Sequence, residues 1–160
     1  MHTNNNNSVA TADGIEVFGE PGGFVHRNGP VYIDRSAEVP VVSMLLTAEH
    51  TNSMGIASGG LLMMVLDIGL GTAVSAKVGT KSICPTVQIN CNLMASGKIG
   101  DRIVCETQIS SVTRSLAFAN GKLVGPNGII ATATGVFKIP SHIRKALDSS
   151  TPDARRDSKS

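Results

Sequence analysis

The segment from residue 58 to residue 78 constrains the fold of this chain more than any other stretch. Up to residue 76 it consists of small or apolar residues around one charged side chain, Asp67. A helix that is apolar on all sides lies either in a protein core or in a membrane. The length would suffice for a span, but several glycines and a central acid, which costs about 2.5–3.5 kcal/mol in a bilayer, argue against one. We therefore expect a core helix and no membrane partner.

Strand patterns flank this helix on both sides. Residues 86–94 alternate between apolar and polar side chains, as a strand with two unlike faces does. The other predicted strands are 29–34, 38–50, 102–112, 115–124 and 128–139. Antiparallel strands need one face covered, and one long apolar helix can cover it. The sequence therefore predicts an α+β fold in which one antiparallel sheet wraps around one long central helix.

The two ends of the chain are too polar to pack. Residues 1–14 are rich in Asn and residues 148–160 mix both charges, so both are predicted to be disordered tails. The 160 residues then hold one domain, from residue 15 to residue 147. The N-terminus has no apolar segment of the kind that a secretory signal requires.

Composition limits the classes of partner. Net charge is +2 and aromatic residues make up 3%, too little to stack bases, so we expect no nucleic-acid partner. Only 16% of residues are charged, which fits either a surface covered by a second subunit or ligand, or a surface of low solubility. The cysteines are Cys84, Cys91 and Cys105. They lack CxxC spacing and lie in apolar runs, which predicts buried thiols in a reducing compartment, the cytoplasm.

The carboxylate in the central helix needs an explanation. A buried Asp67 would cost several kcal/mol unless it were paired or neutralised, so it has either a structural partner or a function. Upstream, Ser58 can be the N-cap, with Gly59 and Gly60 at the first helical positions. Such a start leaves amides open to an incoming oxygen at the positive end of the helix dipole. An oxyanion site and a carboxylate base are what acyl hydrolysis needs, although an ordinary glycine-started helix has the same pattern.

The spacing along the helix adds a constraint. Gly59 and Asp67 are eight residues apart, which corresponds to about 12 Å along a helix axis. One carbonyl cannot contact both groups within a single chain. If they cooperate, they belong to different subunits across a two-fold axis. We therefore expect a homo-oligomer, a dimer or a tetramer.

The start of the helix also carries a motif that resembles the hotdog-fold acyl-CoA thioesterases, in the phenylacetate-pathway branch of the 4-hydroxybenzoyl-CoA thioesterase superfamily. The motif there is H-x-N-x-x-G-x-x-H-G-G, followed seven residues after the last glycine by an acid. Here the matching positions are His50, Asn52, Gly55, Ser58, Gly59, Gly60 and Asp67. The segments 98–101 and 113–117 are similar as well, so the resemblance covers about residues 25–139.

The resemblance implies a hotdog fold and hydrolysis of an acyl-CoA thioester. Asp67 would be the general base or nucleophile, and the Gly59 amide would be the oxyanion donor. Asn52 would orient water or substrate, and Thr86 would assist Asp67. No cofactor or metal is implied, and the scattered histidines lack zinc-site spacing.

Further positions would contact the substrate or its CoA moiety. By resemblance these are His50, Ser58, Gly60, Arg114 and Ser115. A guanidinium suits a CoA phosphate, but a solvated Arg at a strand end explains Arg114 equally well. From its place in the loop, His50 fits a structural residue better than a catalyst.

One position departs from the family motif, because the His of H-G-G is Ser58 here. A serine is a good N-cap, so the oxyanion amide would be retained while substrate choice and rate would change. The departure leaves open a non-catalytic acyl-CoA-binding module, a sensor or a partner-binding protein. A hotdog hydratase or dehydratase is the third alternative, but these use a His–acid pair and only His50 lies near the helix.

Overall fold

The computed structural model describes residues 9–10, 14–80 and 82–143. The predicted tails fall almost entirely outside these ranges. The elements are β1 (Val9–Ala10), β2 (Ile15–Phe18), α1 (Phe24–Arg27), β3 (Val31–Asp34), β4 (Val41–Leu45), a 3-10 turn (Ala48–His50), α2 (Gly59–Lys77), β5 (Thr86–Leu93), β6 (Arg102–Val112), β7 (Leu116–Gly125) and β8 (Gly128–Lys138). The sheet therefore starts earlier than predicted, because β1 and β2 both precede the first predicted strand.

The described strands form one antiparallel sheet in the order β1-β2-β3-β4-β6-β7-β8-β5. The chain leaves β4, runs through α2, and enters the sheet again at its far edge as β5, which pairs with β8. The helix lies on one face and contacts β4, β5, β6, β7 and β8. The predicted α+β architecture, one antiparallel sheet around one long helix, is confirmed.

Close packing fixes α2 on the sheet. Leu66 and Leu70 are fully buried, and each such side chain contributes about 1.5–3 kcal/mol relative to exposure. Leu70 contacts the sheet where β7 and β8 carry glycines. A Cβ at Gly121 would lie 2.9 Å from Leu70 Cδ2, and one at Gly135 would lie 3.1 Å from Leu70 Cδ1. The sheet glycines therefore leave room for this leucine, and larger residues there would push the helix away.

One stripe of α2 is left uncovered by its own sheet. Gly60, Met63, Asp67, Gly71 and Ser75 recur every three or four residues and are exposed or half-buried. The expectation that Asp67 is buried is therefore wrong for the single chain, because the sheet covers only one side of the helix. Although α2 is long and apolar enough to cross a membrane, half of that stretch is buried inside the protein, and its buried side chains are part of the hydrophobic core.

All three cysteines have free thiols. Cys84 and Cys105 are buried as predicted, whereas Cys91 on β5 is only half-buried. Burial is the main cause that raises the thiol pKa values, and it brings the pKa of Cys105 to about 12. In the folded chain, Cys105 is therefore protonated and unreactive near neutral pH.

Candidate active site

Asp67 and Thr86 are brought together by the contact of α2 with the edge strand. The Thr86 hydroxyl donates a hydrogen bond of 2.7 Å to Asp67 Oδ1. Thr86 opens β5 and pairs with Phe137 of β8, so the sheet fixes the position of its hydroxyl. Within the described ranges no hydrogen bond to Asp67 Oδ2 is found, which leaves that oxygen available to a water or a substrate. A charge-assisted bond of this kind orients a carboxylate as well as stabilising it.

A cavity of about 240 Å³ opens beside this pair. Asp67, Ile68 and Gly71 of α2 form one wall, and Thr86 forms part of its rim. Phe18 and other residues of the first part of the chain form the opposite wall. The Asp67 carboxylate therefore borders a partly open cavity that can hold a small organic group.

The start of α2 has the geometry of an oxyanion site. Ser58 occupies the N-cap position, but its side chain makes no capping hydrogen bond. Among the described residues, no acceptor is found for the Gly59 amide. A Cβ at Gly59 would lie 2.8 Å from Leu93 Cδ1, so glycine lets β5 approach the helix start closely. An unpaired amide at the positive end of a helix dipole is suited to an oxyanion.

The loop before α2 is held by His50, which is only 4% exposed. Thr47 N donates to His50 Nδ1 at 2.9 Å, and His50 Nε2 lies 3.3 Å from the Gly29 carbonyl. Because Nδ1 accepts, the ring proton lies on Nε2 and is donated to Gly29. The His50 carbonyl accepts from Ser58 N at 2.9 Å. With both ring nitrogens engaged, His50 has the geometry of a structural loop residue and offers no free nitrogen to a substrate.

A second cavity, of about 330 Å³, lies at the helix start. Asn52 and Gly59 line it together with Leu62, Leu93 and Met94. The Asn52 side chain accepts a hydrogen bond of 2.9 Å from Met54 N, which fixes its carbonyl oxygen in the loop. One chain therefore presents the two predicted halves of the site in two separate cavities, with Asn52 and Gly59 in one and Asp67 and Thr86 in the other.

Arg114 and Ser115 lie in the turn between β6 and β7 and are not among the residues lining either cavity. The Ser115 carbonyl accepts from Ile139 N at 2.9 Å, which ties the turn to the end of β8. This end of the sheet also carries Thr86, since Phe137 pairs with both β5 and β7. Two strand spacings, about 10 Å, separate the turn from the edge strand. Contact of Arg114 and Ser115 with CoA stays a prediction, as does a role for Gly60 on the exposed stripe of α2.

The sequence analysis missed the contribution of the first part of the chain. Phe18 of β2, Val25 of α1 and Arg35 after β3 all line the Asp67 cavity. The sequence signal for this wall is the short β-type run at 15–18, which is followed by a glycine. Among the described residues, no cluster of three or more His, Cys, Asp or Glu side chains could hold a metal ion.

Comparison with known proteins shows which family this chain is similar to. A family model described as the thioesterase superfamily matches residues 54–129, a range that includes Gly59, Asp67 and Thr86 but not Asn52. An inferred esterase of Pseudomonas aeruginosa is 29% identical over 113 residues, which is 70% of this chain and 84% of that protein. The acyl-coenzyme A thioesterase 13 of Mus musculus is 29% identical over 90 residues, 55% of this chain and 62% of that protein.

The architecture is shared as well. The crystal structure of zebrafish thioesterase superfamily member 2 superposes with a TM-score of 0.64 at 27% identity. The match covers 74% of this chain and 87% of the zebrafish chain. Together with the family model and the sheet wrapped around α2, these likenesses agree with the predicted resemblance: the chain has the hotdog fold of thioesterases and is similar in sequence to the thioesterase superfamily over residues 54–129.

Proposed function

We propose that this protein hydrolyses an acyl-CoA thioester to the free acid and CoA. The observation that carries the proposal is the Asp67–Thr86 pair, a carboxylate held by a 2.7 Å hydrogen bond at the wall of a cavity. The match to the thioesterase superfamily model supports thioester hydrolysis in general, and the name of the mouse relative supports CoA as the thiol. A cytoplasmic location stays a prediction.

The two cavities support a site shared between two subunits. Asp67 lies about 12 Å along α2 from Gly59, which is too far for both groups to contact one carbonyl. A two-fold axis that packs two exposed α2 stripes together would bring the start of each helix to the middle of the other. The edge strand β5 presents Val87 and Leu93 to solvent, and Met94 directly after it is exposed as well, an apolar surface that a second copy would cover. We therefore propose a homodimer as the smallest active unit.

In the proposed reaction, Asp67 accepts a proton from a water molecule as the water oxygen adds to the thioester carbonyl. The Gly59 amide of the partner subunit donates to the developing oxyanion. Collapse of the tetrahedral intermediate breaks the C–S bond, and the CoA thiolate takes up the proton from Asp67. If Asp67 instead attacks the carbonyl as a nucleophile, CoA leaves first and water then hydrolyses the anhydride. Asn52, beside Gly59, would orient the water or the substrate.

Substitution of the acid tests the proposal. Asp67→Asn should lower thiol release from CoA thioesters by at least about 10²-fold, the lower end of the range for general acid–base catalysis, while the protein stays folded and binds the thioester. The matched control is Glu38→Gln, which removes an exposed carboxylate that lines none of the cavities and should leave turnover unchanged. Full turnover in a folded Asp67→Asn protein would refute the assignment. A wild-type protein that binds acyl-CoA without releasing thiol would support the binding-module alternative.

A further inference from the structure

His50 is a buried side chain that the proposed reaction does not use. Among the described residues, the buried polar side chains are His50 and Thr72. An imidazole ring is costly to bury unless its polar nitrogens are hydrogen-bonded. The bonds of His50 therefore indicate what this ring contributes to the chain.

The ring joins two separate parts of the backbone. Thr47 N donates to Nδ1 of His50 at 2.9 Å, and Thr47 Oγ1 lies 3.2 Å from the same nitrogen. On the other side of the ring, Nε2 lies 3.3 Å from the Gly29 carbonyl. Gly29 comes shortly before β3, and Thr47 is the N-cap of the 3-10 turn. The ring is therefore held between the lead-in to the sheet and the loop before α2.

The main chain of His50 carries this fixed position to the start of α2. The His50 carbonyl accepts from Ser58 N at 2.9 Å. The segments 50–52 and 56–58 continue from this bond as a short antiparallel pair. Asn52, which lines the cavity at the helix start, lies in the first of these segments. A shift of His50 would therefore move both Asn52 and Ser58.

The direction of the Gly59 amide depends on Ser58. The two residues share one planar peptide group, so the backbone of Ser58, with φ −62° and ψ 135°, sets where the Gly59 N–H points. The Ser58 side chain makes no capping hydrogen bond, so the bond from its amide to the His50 carbonyl holds this residue from the loop side. A misplacement of about 1 Å in a reacting geometry can cost a factor of about 10² in rate.

We infer that His50 is a positioning residue: its neutral ring anchors the loop between Thr47 and Gly29, and its carbonyl holds Ser58 so that the next amide is aimed at the thioester oxygen. This inference rests on the proposed function, in which the Gly59 amide stabilises the oxyanion. His50 then affects the rate without touching the substrate, in contrast to the substrate contact that the resemblance implies.

Two substitutions of His50 test this inference through kcat and KM. His50→Leu removes both ring bonds and keeps the site apolar. Its kcat for butanoyl-CoA should fall at least about tenfold while KM stays within about twofold, because an oxyanion donor acts mainly in the transition state. His50→Gln should retain at least about half of kcat, because its amide supplies one acceptor and one donor, as the neutral ring does. Gln is also a usual residue at this position of a capping box.

Thr51→Val is the matched control. It removes a hydroxyl that donates to the Ala48 carbonyl at 2.8 Å in the same turn, but it leaves the ring bonds of His50 in place. Its kcat and KM should equal those of the wild type.

Amide hydrogen exchange gives a readout that does not depend on activity. Ser58 N should exchange at least about tenfold faster in His50→Leu than in the wild type, while the amides in the second half of α2 keep their protection. His50→Asn covers the case in which His50→Leu does not fold, since it keeps an acceptor for Thr47 but is too short to donate to Gly29. It should show the same two changes, each at least about threefold.

A folded His50→Leu or His50→Asn protein with either wild-type kcat or wild-type exchange at Ser58 would overturn the inference. A rise in KM at unchanged kcat would also overturn it, because the ring would then bind substrate, and so would a loss of kcat that His50→Gln does not recover. If the wild type releases thiol from no CoA thioester, the proposed function fails. Exchange at Ser58 then decides by itself whether His50 holds the helix start.

Discussion

The hydrogen bond from Thr86 to Asp67 can be removed with little change in shape. Thr86→Val replaces the hydroxyl with a methyl group of similar size and keeps a β-branched side chain at the start of β5. Thr86 is exposed and the lost bond lies at the surface of the single chain, so the melting temperature should change little. The catalytic effect should be larger, because the variant leaves Asp67 Oδ1 without the partner that orients it.

The magnitude follows from the type of bond. A hydrogen bond to a charged group contributes about 1.5–3 kcal/mol, and 1.4 kcal/mol corresponds to a factor of ten. If the full contribution supports the transition state, kcat should fall by about 10- to 150-fold. Thr86→Ser keeps a hydroxyl and should retain most of the activity.

The assay is thiol release from butanoyl-CoA, with kcat and KM measured separately and melting followed in parallel. Thr134→Val on β8 is the matched control, because it makes the same substitution at an exposed position that lines a separate cavity of about 480 Å³ and neither of the two candidate-site cavities. Its kinetics should match those of the wild type. A kcat within twofold of the wild type for a folded Thr86→Val protein would show that the hydroxyl does not orient a catalytic carboxylate.

Three further predictions concern packing, titration and CoA recognition. Gly69→Ala should lower the free energy of unfolding by about 1–3 kcal/mol, because the added Cβ would collide with Cys105 Sγ, and a denaturant titration measures this loss. The free energy of unfolding should fall as pH rises from 9 towards 12, because the pKa of the Cys105 thiol is raised from 9.0 to about 12 and the thiol therefore deprotonates first in the unfolded chain. Denaturant unfolding of the wild type and of Cys105→Ala across this pH range tests this. Equal pH dependence in the two proteins would contradict it. Arg114→Ala should raise KM for a CoA thioester and leave KM unchanged for a truncated thioester that lacks the nucleotide. An equal rise in KM for both substrates would exclude a phosphate contact.

Most of the main fold could be predicted from the sequence, because its elements have strong local patterns. The predicted helix at 58–78 is observed at Gly59–Lys77, and the strand predicted at 102–112 is observed at those residues. The run predicted as a strand at 38–50 is shorter, since β4 ends at Leu45 and the chain then turns. The 3-10 turn there depends on bonds between Thr47 and His50, which alternation of apolar residues does not reveal.

The candidate site was less accessible from the sequence. Thr86 and Asp67 are 19 positions apart, and residue patterns alone give no reason to pair them; the resemblance suggested the contact. The wall formed by Phe18 and Val25 was missed because β2 and α1 have only four residues each and carry little periodic signal. The expected burial of Asp67 was wrong for one chain because apolar composition does not distinguish burial within a subunit from burial between subunits.

Complementation between two inactive variants tests the central claim, that one active site combines Asp67 of one subunit with Gly59 of another. Gly59→Pro removes the amide proton at the first helical position, where proline is compatible with a helix. Gly59→Ala is the control for Gly59→Pro, since it adds a Cβ beside Leu93 but keeps the amide proton. Only the difference in activity between these two variants therefore reports on the amide.

Asp67→Asn and Gly59→Pro should each be inactive alone. In a co-refolded mixture, about half of the dimers combine the two variants, and each such dimer has one intact site and one doubly altered site. Activity should therefore return to about a quarter of the wild-type level. A mixture that stays inactive, although heterodimers are shown to form and fold, would contradict a site shared between subunits.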